Sequence, residues 1–187
     1  MTEPETIEPD VDPELDVELA RVRDLIRDVP DHPQPGVLFR DITPALADAE
    51  AFTTIATELA ALAGEATLVA GVEARGFLLG AAAALVAGVG VVPVRKAGKL
   101  PKVAASRTYD LEYGTATLEL PADTVAPGTS VFVIDDVLAT GGTAAAACDL
   151  LTTAGARVVG FGVLLEIAGL GGRARLGEIP VHALITV

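Results

Sequence analysis

The sequence predicts an α/β fold, with a central, mostly parallel sheet flanked by helices. Three features predict it. Short Val-rich runs at residues 67–72, 89–94, 130–134 and 158–165 have the length and composition of buried strands. Ala-rich stretches of helical length lie between them, and Gly64 and Gly155 close two helical stretches. Strands that alternate with helices pair in parallel through right-handed crossovers. Ligands of such sheets bind beyond the carboxyl ends of the strands. Chemistry is therefore expected in the loops after Val72, Val94 and Ile134.

Taken in order, residues 1–14 are acidic and carry Pro4, Pro9 and Pro13, the composition of a disordered tail. Residues 15–187 are expected to form a single domain. Leu15, Leu19, Val22, Leu25 and Ile26 recur at helical spacing, and Pro30 stops that helix. Pro33, Pro35 and Gly36 make residues 31–36 a rigid loop. A helix over residues 48–63 places Phe52, Ile55, Leu59 and Leu62 on one face. The strand at 67–72, an Ala-rich helix at 75–87 and the strand at 89–94 follow. Residues 97–106 are charged and lack a period, so they read as loop. Tyr109, Leu111 and Tyr113 alternate, and residues 108–120 are expected to form a strand pair turning near Gly114. The strand at 130–134, a helix at 143–154, the strand at 158–165 and a last strand at 181–187 complete the chain.

Composition narrows the function. Residues 1–18 hold eight acids and no base, more than half of the net charge of -13. So acidic a chain lacks the clustered Lys and Arg that neutralise duplex phosphates, so no nucleic-acid partner is expected. One cysteine, Cys148, excludes an intrachain disulfide and fits a reducing cytoplasm. The N-terminus has neither the basic nor the apolar region of a signal peptide. Residues 77–94 are apolar for long enough to raise a membrane span. Gly88, Gly90 and Pro93 interrupt the run, so a buried helix followed by a buried strand is expected instead.

Residues 131–143 (VFVIDDVLATGGT) carry the strongest chemical signal. A buried strand delivers Asp135 and Asp136 to its open end, and a loop with Gly141 and Gly142 leads into a helix. Unpaired N–H groups at a helix start attract anions, and glycines let a phosphate approach them. Thr140 and Thr143 add hydroxyl donors, while paired acids can hold sugar hydroxyls or a hydrated Mg²⁺. No Lys follows the glycines, so this is not a nucleotide-triphosphate P-loop. A Cβ at Gly141 is expected to block the phosphate while sparing the fold.

This segment resembles the phosphoribosyl-pyrophosphate motif of the type I phosphoribosyltransferases. Residues 35–44 (PGVLFRDITP), 74–77 (ARGF), 94–101 (VRKAGKLP) and 109–114 (YDLEYG) are similar to the adenine-specific branch of that family, in order and spacing. The resemblance implies that family's fold, with a small N-terminal hood and a mobile loop. It implies that Ala139, Thr140, Gly141, Gly142 and Thr143 grip the ribose 5-phosphate and that Asp135 and Asp136 face the ribose hydroxyls. Arg75 would meet the pyrophosphate, as would the basic cluster Arg95, Lys96 and Lys99. In the family this cluster can come from the neighbouring subunit, which implies a homodimer. Leu38, Phe39 and Arg40 would bind the purine, with Ile167 capping it. Glu112 would act near the purine imidazole, on the mobile loop that also carries Tyr113.

The implied reaction is adenine plus phosphoribosyl pyrophosphate giving AMP and pyrophosphate, a purine-salvage step. Mg²⁺ would be held through the substrate and water, with no direct protein ligand. Two other readings compete. A 6-oxopurine enzyme of the same fold needs a donor at O6, often Lys, and no Lys occurs after Ile134. A ligand-sensing transcription regulator needs a basic DNA-binding unit, and residues 1–30 are too short and too acidic for a helix-turn-helix.

Overall fold

The computed structural model of the chain describes residues 13–110 and 114–187. Most of the expected tail, together with Leu111, Glu112 and Tyr113, lies outside the described residues. The chain divides into two compact units, one running to Thr54 and the other starting at Ile55.

The first unit begins with α1 (Pro13–Leu25), which starts two residues earlier than expected. A short antiparallel ribbon follows, made of β1 (Arg27–Val29) and β2 (Phe39–Asp41), with Asp28 opposite Arg40. The expected helix ran on toward Pro30; in the structure it ends at Leu25. An Asp28–Arg40 ion pair bridges the ribbon strands. After the short α2 (Thr43–Ala47), Asp48 starts α3 (Ala49–Ala63) by accepting the Ala51 N–H at 2.9 Å. That bond and the Arg21 guanidinium, 2.9 Å away, hold the Asp48 carboxyl below its usual range. Such caps satisfy donors that a helix start leaves unpaired.

The second unit is a seven-stranded sheet with helices. Its strands are β3 (Leu68–Val72), β4 (Gly90–Lys96), β5 (Val103–Asp110), β6 (Thr115–Pro121), β7 (Ser130–Leu138), β8 (Arg157–Glu166) and β9 (Val181–Thr186). The spatial order is β5-β6-β4-β3-β7-β8-β9. The five strands from β4 to β9 run parallel, and β6 and β5 add an antiparallel edge. The mostly parallel sheet expected from the sequence is therefore present. Apolar side chains of the central strands fill the core, with Val94, Val133, Leu118 and Phe161 fully enclosed. At about 25 cal/mol per Å² such burial is the main term holding the sheet to its helices.

Residues 77–94 resolve into α4 (Gly76–Ala87), a turn at Gly88, and β4. No helix among the described residues is long and apolar enough to cross a membrane. The start of α4 sits almost on the sheet. A Cβ on Gly76 would stand 2.8 Å from the Ile134 carbonyl oxygen and 2.9 Å from Asp135 Oδ1, so only glycine permits this approach. Two boundaries differ from expectation. β5 begins inside the stretch read as loop, because Val103 pairs opposite Pro121. β7 continues through both aspartates to Leu138, because Asp135 and Val137 find partners in Val163 and Leu165 of β8.

Candidate active site

The carboxyl ends of β3 and β7 bring the expected anion-binding residues together. β7 ends at Leu138, residues 139–141 turn, and α5 (Gly142–Thr153) begins. Gly141 turns the chain with φ of +80°, a left-handed conformation that bulkier residues rarely adopt. Residues 135 and 137–144, with Asp110 from the end of β5, line an open hollow. All five residues expected to grip the phosphate are in this wall. The first N–H groups of α5 have no partner in the preceding turn of helix, which suits an anion. Among the described residues Asp110 and Asp135 are the only charged ones in the lining, so backbone dipoles and the two threonine hydroxyls supply its donors.

The two aspartates play different parts. Asp135 lines the hollow, and its Oδ1 accepts the Asp136 N–H at 2.8 Å. Burial, with the Asp136 carboxylate beside it, pushes the Asp135 carboxyl well above its usual range. Asp136 is equally enclosed, and its Oδ2 lies 2.7 Å from a guanidinium nitrogen of Arg75. The contact is a close ion pair rather than an aligned hydrogen bond, which leaves Oδ2 with a lone pair unengaged. Arg75 stands at the N-terminus of α4, where a cation opposes the helix dipole. Asp136 offsets that charge.

The basic cluster is anchored by a residue that the sequence reading missed. Glu73, two positions before Arg75, has an almost fully buried carboxylate. It accepts the Lys96 N–H at 3.0 Å, meets Arg95 Nε at 3.4 Å and pairs with Lys99 Nζ. Burial raises the Glu73 pKa and these donors lower it; the donors win, and the net shift is downward. Arg95 also lies 5.9 Å from the centre of the Phe77 ring. The acid's position between a strand end and Arg75 was the available signal. Its partners lie more than twenty residues away in the chain, so sequence spacing could not reveal the clamp.

The purine-side residues fall in both units. In the first, Leu38 is 45% exposed, so it is not a core residue. Phe39 is half-buried and meets the His32 ring edge-on, with centroids 4.9 Å apart. Arg40 pairs with Asp28, which commits its side chain and leaves its backbone as the candidate contact. In the second unit Ile167 follows β8 directly and is half-buried. Its N–H donates to the Leu138 carbonyl at 2.9 Å, so it stands beside the end of the phosphate strand. Cys148 lies buried inside α5, and burial, then the nearby Asp149, pushes its thiol up to about 12. It is not a nucleophile at neutral pH. No group of three or more His, Cys, Asp or Glu among the described residues could by itself hold a metal ion.

Known proteins share this architecture. The phosphoribosyl transferase domain family matches residues 43–178. An adenine phosphoribosyltransferase of Kineococcus radiotolerans is 65% identical over 162 residues, covering 86% of this chain and 88% of that protein. The crystal structure of the adenine phosphoribosyltransferase from Rhodothermus marinus superposes with a TM-score of 0.86 at 44% identity, covering 92% of this chain and 99% of that one. The Saccharomyces cerevisiae enzyme, solved with adenine and an iminoalditol bisphosphate, gives 0.84 at 34% identity, covering 91% and 99%. With the buried acid pair, the glycine loop and the parallel sheet in register, these matches place the chain in the adenine phosphoribosyltransferase family.

Proposed function

We infer that this chain joins adenine to phosphoribosyl pyrophosphate, releasing AMP and pyrophosphate. The observation that carries the reading is the hollow at the end of β7, with the N-terminus of α5 in its wall and its buried Asp135. A phosphate seated on residues 139–143 leaves the attached ribose within reach of the two aspartates. Purine N9 forms a bond to ribose C1, the bond from C1 to the pyrophosphate oxygen breaks, and the N9 proton departs. C1 passes through a cation-like state, so positioning and stabilisation of the leaving group matter more than a covalent nucleophile.

Arg75, Arg95, Lys96 and Lys99 supply positive charge for the pyrophosphate. The Glu73 clamp supports this role, because it holds the Arg95 and Lys99 side chains and the Lys96 backbone two residues from Arg75. The acid pair also fits Mg²⁺. Asp136 Oδ2 is buried without an aligned hydrogen bond and can accept from a hydrated cation carried in with the substrate. Bound there, Mg²⁺ would withdraw charge from the leaving group.

Backbone groups at Leu38, Phe39 and Arg40, with Ile167, are proposed to receive adenine. Adenine in the yeast relative and the absence of Lys after Ile134 support that base over a 6-oxopurine. Glu112 is proposed to handle a proton near the purine imidazole. In the sequence it follows Asp110, which lines the hollow, by two residues.

A homodimer completes the proposal. Leu78 and Leu85, seven residues apart along α4, and the adjoining Val86 are 55%, 82% and 54% exposed. Large exposed apolar side chains on one helix support a protein contact, and symmetric pairing is its commonest form. A salvage role and one reduced, buried thiol support a cytoplasmic setting. The function is tested by incubating the chain with phosphoribosyl pyrophosphate, Mg²⁺ and a panel of purines. Nucleotide formed from adenine and not from hypoxanthine or guanine is expected; a preference for a 6-oxopurine would overturn the assignment.

A further inference from the structure

The end of β5 is seated on the first turn of α5. The Tyr109 phenol oxygen lies 3.1 Å from Thr143 Oγ1. Beside it, the Asp110 carbonyl oxygen stands 3.5 Å from where a Cβ of Gly142 would lie, and the Tyr109 ring 3.7 Å away. The phenol is half-buried, and Thr143 is one of the residues lining the phosphate hollow. Nothing in the reaction described above employs this tyrosine.

We propose that Tyr109 is a positioning residue for the ribose 5-phosphate, acting through the Thr143 hydroxyl. The inference rests on the cradle reading of residues 139–143. A threonine hydroxyl has one proton to give and two lone pairs with which to accept. A phosphate dianion only accepts. With the phosphate bound, Thr143 must give its proton to the anion, and its oxygen is then free to accept from Tyr109. The phenol is the stronger acid of the two and suits the donor role, and bonds in such a chain reinforce one another. Without the phenol, the Thr143 hydroxyl loses a donor that fixes its rotation, and its proton can turn away from the phosphate position. Tyr109 therefore holds the hydroxyl in its phosphate-donating orientation before the substrate arrives. It also ties the strand leading to residues 111–113 to the occupied cradle.

The test is equilibrium titration of single and double variants with three ligands. Tyr109→Phe removes only the phenol oxygen and keeps the ring against Gly142. A net neutral hydrogen bond is worth a change of about three- to tenfold in affinity. Tyr109→Phe is therefore expected to weaken phosphoribosyl pyrophosphate and AMP by that factor, while inorganic pyrophosphate, which has no 5-phosphate, binds as before. Thr143→Val should weaken the first two ligands more strongly. The double variant should bind no worse than Thr143→Val alone, and on a Thr143→Ser background the loss from Tyr109→Phe should return. Affinities within twofold of wild type for Tyr109→Phe, or a loss that persists in full on the Thr143→Val background, would overturn the inference and leave the cradle standing. An unchanged affinity in Thr143→Val would overturn the cradle reading together with it.

Discussion

Gly141 faces Gly172 so closely that a Cβ built on Gly141 would stand 2.5 Å from the Gly172 carbonyl oxygen and 2.9 Å from its Cα. The glycine is thus required by the protein's own backbone, at a left-handed φ, before any phosphate is considered. The expectation that a side chain at Gly141 blocks substrate and spares the fold needs correcting. Gly141→Val should lower stability by more than about 2 kcal/mol through strain and overlap, measured by urea melts. Gly142 is the informative position. Its Cβ would meet only Arg175 Nη1, at 3.3 Å, and ordinary contacts beyond 3.4 Å. Gly142→Ala should fold normally and lose about tenfold or more in affinity for phosphoribosyl pyrophosphate, because it crowds the approach to the helix N–H groups.

Asp135 should trade stability for binding. Its carboxyl is raised by burial and by Asp136, with Arg75 as the opposing charge. A raised acid stabilises the fold fully below its unfolded pKa, near 3.9, and that contribution fades as pH climbs through the folded value. Asp135→Asn keeps the oxygen that accepts the Asp136 N–H and removes the buried charge. Near pH 7.5 the variant should melt at least about 2 °C higher than wild type, the shift of roughly 1 kcal/mol for a chain of this length. The gap should close toward pH 4. Its affinity for phosphoribosyl pyrophosphate should fall about tenfold or more, as expected for a lost hydrogen bond to a charged group. A melting gap that does not grow with pH would contradict the burial argument.

Proton transfer at the purine can be separated from binding. Glu112→Gln preserves a hydrogen-bonding shape and cannot transfer a proton. Loss of general acid–base help lowers turnover by about a hundredfold. That variant should therefore lose kcat far more than it raises KM for adenine, and Glu112→Leu should be slower still. Steady-state kinetics with near-normal turnover in both would remove Glu112 from the reaction.

Leu85 offers a clean handle on assembly, since its 82% exposure means that a charge there cannot disturb the core. Leu85→Glu should shift sedimentation from twice the 19.0 kDa chain mass toward the single chain, with an unchanged circular-dichroism spectrum. A wild-type chain that sediments as a monomer would contradict the homodimer.

What was legible in the sequence had local causes. Val131–Ile134, the glycines that follow and the helix after them announce themselves through apolar runs and backbone demands that neighbouring residues settle. The extension of β7 through Asp135 to Leu138 was hidden, because two acids do not read as strand and only the pairing with Val163 and Leu165 makes them one. β1 and β2 are three residues each, with Arg27, Asp28, Arg40 and Asp41 among them, too short and too charged to show alternation. The four-residue helix Gly172–Arg175 was unread for the same reason of length, though it supplies the backbone on which Gly141 closes. Within the site, Arg75 could be named from its loop. The Glu73 clamp and the Tyr109–Thr143 bond join residues 22 to 34 positions apart and exist only once the sheet is assembled.

A crystal structure of the chain with AMP bound tests the assignment of the site most directly. The phosphate should lie within hydrogen-bond distance of the backbone N–H groups of residues 140–143 and of the Thr143 hydroxyl, with the ribose hydroxyls at Asp135 and Asp136. AMP whose phosphate sits instead on Arg95, Lys96 and Lys99, leaving the hollow beyond β7 empty, would contradict it.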